Sequence, residues 1–112
     1  MNARTLDPLL GTPARLAIVA TLADGRDLTF SELKAATGLA DGNLHVQASR
    51  LTEAGYLRQR RERRGGRTVT CYRLEEDGLA ALRRLADRLQ AALTGVRPVR
   101  PDRRERDDSQ VW

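Results

Sequence analysis

This chain is poor in most of what a reactive protein site is built from. Its 112 residues include one cysteine, Cys71, and one histidine, His45. That excludes an intrachain disulfide and a zinc site made of cysteine and histidine alone. Aromatic residues make up 4% of the chain, so a core must be assembled from Leu, Ala, Val and Ile. Lysine is nearly absent: of 20 basic residues, 19 are arginine, and the exception is Lys34. No apolar run approaches the roughly 18 residues of a membrane-spanning helix, and residues 1–20 lack a signal-peptide pattern. The expectation is a soluble cytoplasmic protein with no membrane association. There is no phosphate-cradling loop, metal-ligand cluster or nucleophile–base arrangement. An enzyme is therefore the least expected class, and neither a cofactor nor a metal is expected.

What the chain does have is arginine in one place. Residues 58–73 hold seven arginines (Arg58, Arg60, Arg61, Arg63, Arg64, Arg67 and Arg73) against one acid, Glu62. Their local net charge of +6 exceeds the +5 of the whole chain, so everything else sums to −1. A planar guanidinium fork suits phosphate and guanine recognition. A GC-rich coding sequence also favours arginine, but it does not explain the clustering. Positive charge focused on one segment is the electrostatic footprint of a nucleic-acid binder.

Length and composition bound the fold. One domain with a modest core fits 112 residues, and 40% apolar content argues for a folded chain. Thr12-Pro13 predicts a helix start, because proline's missing N–H has no partner in the first turn anyway. Leu16, Val19, Ala20 and Ala23 recur at helical spacing until Asp24-Gly25. Asp27-Leu28-Thr29 reads as a short extended piece. Thr29-Phe30-Ser31-Glu32 is a capping box, and the helix it opens should end at Gly38. Asp41 is expected to cap a third helix, with Leu44, Ala48 and Leu51 facing the core and Gly55 ending it. Two strands follow, at about 57–62 and 68–74, joined by Gly65-Gly66, which supplies the positive φ of a tight hairpin. On the second strand Val69 and Cys71 share one face, and Thr68, Thr70 and Tyr72 the other. From about Glu75 the chain is helical again, until Gly95.

The predicted fold is mainly α with a small β-ribbon (α+β). Its order, α-β-α-α-β-β-α, is that of a winged helix-turn-helix over residues 6–94. Residues 95–112 read as a disordered polar tail.

With Leu44, Ala48 and Leu51 turned inward, Asn43, Val46, Gln47 and Arg50 lie on the outer face of the third helix. Asn and Gln can pair with adenine, Arg with guanine, and Val can pack on a thymine methyl. His45 and Ser49 flank that face. His45 is equally well read as a solvated side chain, and no carboxylate or nucleophile is placed to make it catalytic. Arg63, Arg64 and Arg67 at the hairpin tip are candidates for the DNA backbone or minor groove, and Lys34 for a phosphate. Arg58, Arg60 and Arg73, further back, are expected to pair with acids. On the last helix, Leu79, Leu82, Leu85, Ala86, Leu89 and Leu93 form an apolar seam wider than a small core can cover, which predicts a dimer.

The segments Asp41-Gly42-Asn43-Leu44 and Leu51-Thr52-Glu53-Ala54-Gly55-Tyr56-Leu57 resemble the recognition helix of small winged-helix transcriptional regulators of the MarR and ArsR groups. Leu9 to Ile18 resembles their first helix, Thr29-Phe30-Ser31-Glu32-Leu33 their second, and Tyr72 to Gly78 their strand-to-helix junction. The resemblance covers about residues 6–93. It implies a homodimer that reads palindromic double-stranded DNA, most commonly as a repressor. It also assigns Asn43, His45, Val46, Gln47, Ser49 and Arg50 to the reading helix and Arg63, Arg64 and Arg67 to the wing. Val46 stands where relatives often carry a base, and Ala48 where leucine is commoner. The rival reading is a protein-docking module whose wing faces an acidic partner. RNA binding has less support, because the wing and helix lack stacking aromatics. Cys71 reads as a small buried hydrophobe rather than a redox sensor, and the residues name no small-molecule effector.

Overall fold

A computed structural model describes residues 2–96 of the chain. Two short 3-10 turns, Ala3–Thr5 and Pro8–Leu10, lead into helix α1, Pro13–Thr21. Strand β1, Leu28–Thr29, precedes α2, Phe30–Thr37, and α3, Asp41–Glu53. Strands β2, Leu57–Arg64, and β3, Arg67–Leu74, form the hairpin, and α4 runs Glu76–Thr94. This is the α-β-α-α-β-β-α order predicted, with the two turns added in front. The tail expected at 95–112 lies outside the described residues, apart from Gly95 and Val96.

Local chemistry sets most boundaries. The Thr29 hydroxyl accepts from the Glu32 amide at 3.1 Å, and the Glu32 carboxylate accepts from the Thr29 amide at 2.9 Å. The capping box is thus complete, and the bond from the Thr29 amide is the main reason the Glu32 carboxyl sits below its ordinary pKa. Gly38 closes α2 in the left-handed region at φ 73°. Beyond α3, the Tyr56 amide donates to Leu51 O and the Gly55 amide to Thr52 O. That pair of bonds is a Schellman ending, and it needs the positive φ of Gly55.

Three expectations are corrected. Asp41 is the first residue of α3 rather than its cap. Ala40 holds the cap position, where its methyl side chain makes no hydrogen bond. The Asp41 carboxylate lies in the first turn, favoured there by the helix dipole, 2.8 Å from the Lys34 ammonium. The α1 helix stops at Thr21, and its buried residues are Ile18 and Val19, followed by Leu22. Leu16 is only half-buried and Ala20 is exposed. Because α1 contacts α2, α3 and α4 together, its bulkiest residues turn to the centre. The hairpin strands run two residues further on one side and one on the other. Gly65 and Gly66 both take positive φ, so the ladder continues to an Arg64–Arg67 pair at the tip. The alternation expected on β3 is kept, with Tyr72 on the face of Thr68 and Thr70, and Tyr72 is buried in the main core.

The sheet order is β1-β3-β2, all antiparallel. Its inner face sets Leu28, Leu57 and Tyr72 against Ile18, Val19, Leu22, Leu33, Leu44, Ala48 and Leu51 from the helices. Tyr56, half-buried, donates its hydroxyl to Asp7 Oδ2 and so ties the leading segment to the α3–β2 turn. Burial first, and then the Asp7 carboxylate, push its pKa up to about 12.

Gly78, buried in the first turns of α4, marks the closest approach of that helix to the body. A Cβ there would stand 2.6 Å from Tyr56 O and 2.6 Å from Leu74 Cδ1. Glycine to alanine inside a helix ordinarily stabilises by about 1 kcal/mol. At this position Gly78→Ala is expected to destabilise by roughly 1–3 kcal/mol instead, since a backbone oxygen cannot swing aside. Thermal unfolding of the variant checks the sign.

Candidate nucleic-acid interface

Helix α3 presents two opposite faces. Leu44, Ala48 and Leu51 are fully buried, as their spacing predicted. Asn43, His45, Val46 and Arg50 are exposed, and Gln47 and Ser49 are half-buried beside them. Val46 is 46% exposed, a large apolar side chain left in water on a face otherwise polar. His45 and Arg50 make no side-chain hydrogen bond or ion pair among the described residues.

In the hairpin, the strand register sorts the arginines. Arg58, Arg60, Glu62 and Arg64 share one sheet face and pair across with Arg73, Cys71, Val69 and Arg67. That face is an ion-pair network. Arg60 and Arg73 both bind Asp27 Oδ2, at 3.0 and 3.1 Å, and Arg60 also reaches Glu62 at 2.8 Å. Arg58 meets Glu75 at 3.4 Å. Arg64 folds back on Glu62 at 2.5 Å and lies 3.9 Å from Glu32. Its hydrogen bond to Glu62 holds its pKa above the ordinary arginine value. Arg61 and Arg63 point to the opposite face, where they pair across with Thr70 and Thr68. Arg61, Arg63 and Arg67 are exposed, and none of them forms an ion pair among the described residues. Arg63 donates only to Gly66 O, at 3.2 Å. The seven arginines of the segment are therefore divided into four held in ion pairs and three available ones.

The sequence and fold that carry this surface are matched in known proteins. The profile described as winged helix DNA-binding domain matches residues 14–93. The chain belongs to the winged helix DNA-binding domain family. A transcriptional regulator homologue from Pyrococcus horikoshii OT3 is similar at 26% identity, over 78% of this chain and 86% of that one, with a TM-score of 0.71. The transcriptional repressor BigR from Xylella fastidiosa is similar at 28% identity, over 79% and 82%, with a TM-score of 0.60. Rv0081 of M. tuberculosis is similar at 29% identity, over 76% and 81%, with a TM-score of 0.61. No curated protein matches the chain. The winged helix-turn-helix fold and the likeness to regulators of the MarR and ArsR type are both borne out, and DNA binding is the function class of the family.

Within this winged-helix domain, α2 contributes Lys34, whose ammonium is engaged by Asp41 across the α2–α3 turn. Both groups are exposed, so the pair adds little stability. Cys71 is fully buried. Burial foremost, then the Glu62 carboxylate, raises its thiol pKa, which opposes the thiolate that redox chemistry needs. On α4, Gly78 and Ala81 are buried, and Leu82 and Leu85 pack on the core. Leu89 and Leu93 are 51% and 62% exposed and Val96 is 54% exposed. The apolar seam thus splits into a domestic half and an uncovered half. Among the described residues no helix is long and apolar enough to cross a membrane.

Two residues of this surface escaped the sequence reading. Arg61 was hidden in a run of arginines, and only the period-2 register sets it apart from Arg60. Arg15 lies on α1, 32 positions before Gln47, yet its Nη1 donates to Gln47 Oε1 at 2.8 Å. No local pattern signals a contact across that separation.

Proposed function

We propose that this winged-helix protein is a homodimeric, cytoplasmic transcriptional regulator, acting as a repressor that occupies a palindromic operator. The sorting of the hairpin arginines carries the reading. Asp27, Glu62 and Glu75 engage Arg58, Arg60, Arg64 and Arg73 in ion pairs, which leaves Arg61, Arg63 and Arg67 to meet phosphates or a minor groove. The bases are read by α3 through Asn43, Gln47 and Arg50, with Val46 against a thymine methyl and His45 and Ser49 at the margins. The α4 residues Leu89 and Leu93, continuing the seam of Leu79, Leu82, Leu85 and Ala86, join two copies. Their reading helices then enter successive major grooves about 34 Å apart.

Selection from random duplex DNA with purified protein, scored at two salt concentrations, tests this. The expected outcome is an enriched inverted repeat that is lost in Arg50→Ala. Arg67→Ala is expected to reduce the slope of log affinity against log salt by about 0.9, the share of one phosphate. Arg64→Ala should change the slope less. Binding without enrichment would mean a non-specific DNA-coating protein, and no binding at low salt would favour the docking module.

A further inference from the structure

Hydrogen bonds along α3 set which edge of each side-chain amide is turned outward. The Arg15 guanidinium is held at three points: Nε donates to Leu9 O at 2.6 Å, Nη2 to Pro8 O at 3.3 Å, and Nη1 to Gln47 Oε1 at 2.8 Å. A guanidinium has no acceptor, so Gln47 must turn its carbonyl toward Arg15. Its Nε2 then points along the helix and donates to Asn43 Oδ1, 3.1 Å away. Asn43 in turn must give its carbonyl to Gln47. What remains unengaged is the Asn43 Nδ2 group with both hydrogens, and one hydrogen of Gln47 Nε2. Two side-chain amides, each able to present oxygen or nitrogen when free, are thereby set to lead with donors.

We infer that Arg15 is a specificity-determining positioning residue: through Gln47 it fixes Asn43 as a donor toward the major groove. The inference rests on the operator reading above. Guanine O6 and N7, adenine N7 and thymine O4 are acceptors that such a surface satisfies. Cytosine shows its N4 amino donor there and meets donors head-on. The helix should therefore reject cytosine at the base that Asn43 faces. Arg15 does this from within the protein, with three of its five N–H groups held by Leu9, Pro8 and Gln47. The segment before α1 takes part as well, since the Pro8 and Leu9 carbonyls hold the guanidinium in place.

The test is a binding panel on the selected half-site, with each position substituted by all four bases. Asn43→Ala first identifies the position at which its preference disappears. Wild type is expected to disfavour cytosine there. In Arg15→Met the Gln47 amide is free to turn, Asn43 is no longer held with its amino group outward, and that discrimination should fall about tenfold, within the range of one well-placed base contact. Gln47→Met keeps the grip of Arg15 on Pro8 and Leu9 but breaks the relay. It should relax the same position, which carries the test if Arg15→Met folds poorly. Unchanged rejection of cytosine in both variants, with affinity weakened equally for every sequence, would make Arg15 a structural clamp and overturn the inference alone. A wild type with no base preference anywhere would overturn the operator reading and this inference with it.

Discussion

Leu89→Asp combined with Leu93→Asp is expected to turn a dimer into a monomer and to lower operator affinity by a factor on the order of 10²–10⁴. Both leucines stand largely in water on the last turns of α4, and two aspartates there would be buried unpaired against a second copy. The size of the loss comes from linkage. With one reading helix bound, the second half-site is reached at a high effective concentration, and the avidity this adds is about 10²–10⁴. The fold itself should be indifferent, because the replaced side chains touch little of their own domain and exposed substitutions usually fall within about 0.5 kcal/mol. Light scattering gives the mass, an operator titration gives the affinity, and a melting curve confirms that the variant is folded. A dimer mass that survived both substitutions would move the interface elsewhere.

Leu44→Ala should be strongly destabilising, costing about 2–5 kcal/mol. Leu44 is fully buried, in the same core cluster as Ile18, Leu33 and Leu51, and removing its branched end leaves a cavity that a small core cannot collapse to fill. A domain of this size has in total about 5–15 kcal/mol of stability. At about 4–8 °C per kcal/mol, the melting temperature should fall by roughly 10–30 °C. Arg50→Ala, two turns along on the exposed face, makes the informative contrast. It should leave the melting temperature nearly unchanged while removing base discrimination. One helix thus separates stability from recognition by its two faces. Circular dichroism melts of the two variants, set beside their binding to the selected site, would show the separation directly.

Signals that act over a few residues were legible without coordinates. The Thr29–Glu32 capping box, the left-handed Gly38 and the Gly65-Gly66 turn are contests between neighbouring backbone groups, and they resolve the same way wherever the segment sits. The inward stripe of Leu44, Ala48 and Leu51 was equally plain, because helical periodicity and the exclusion of apolar surface from water agree on it. Other features depended on how the elements pack. Asp41 has the chemistry of a cap, yet Ala40 holds that position and Asp41 begins the helix beside Lys34. Alternation gives Tyr72 its face of β3, and packing decides that this face covers the core.

Legible in the chain alone were the resemblance to winged-helix regulators, the order of the elements, the face of α3 turned to solvent and the segment that bears the positive charge. These follow from periodicity, turn chemistry and composition, all of which act along the chain. Only the tertiary structure decided which of seven arginines are free, because Asp27 and Glu75 reach the hairpin from outside it. Only it joined Arg15 to Gln47 and divided the α4 seam into covered and uncovered halves. Each of these depends on side chains far apart in the sequence meeting at hydrogen-bond or van der Waals distance, and such meetings are set by how the helices and sheet pack.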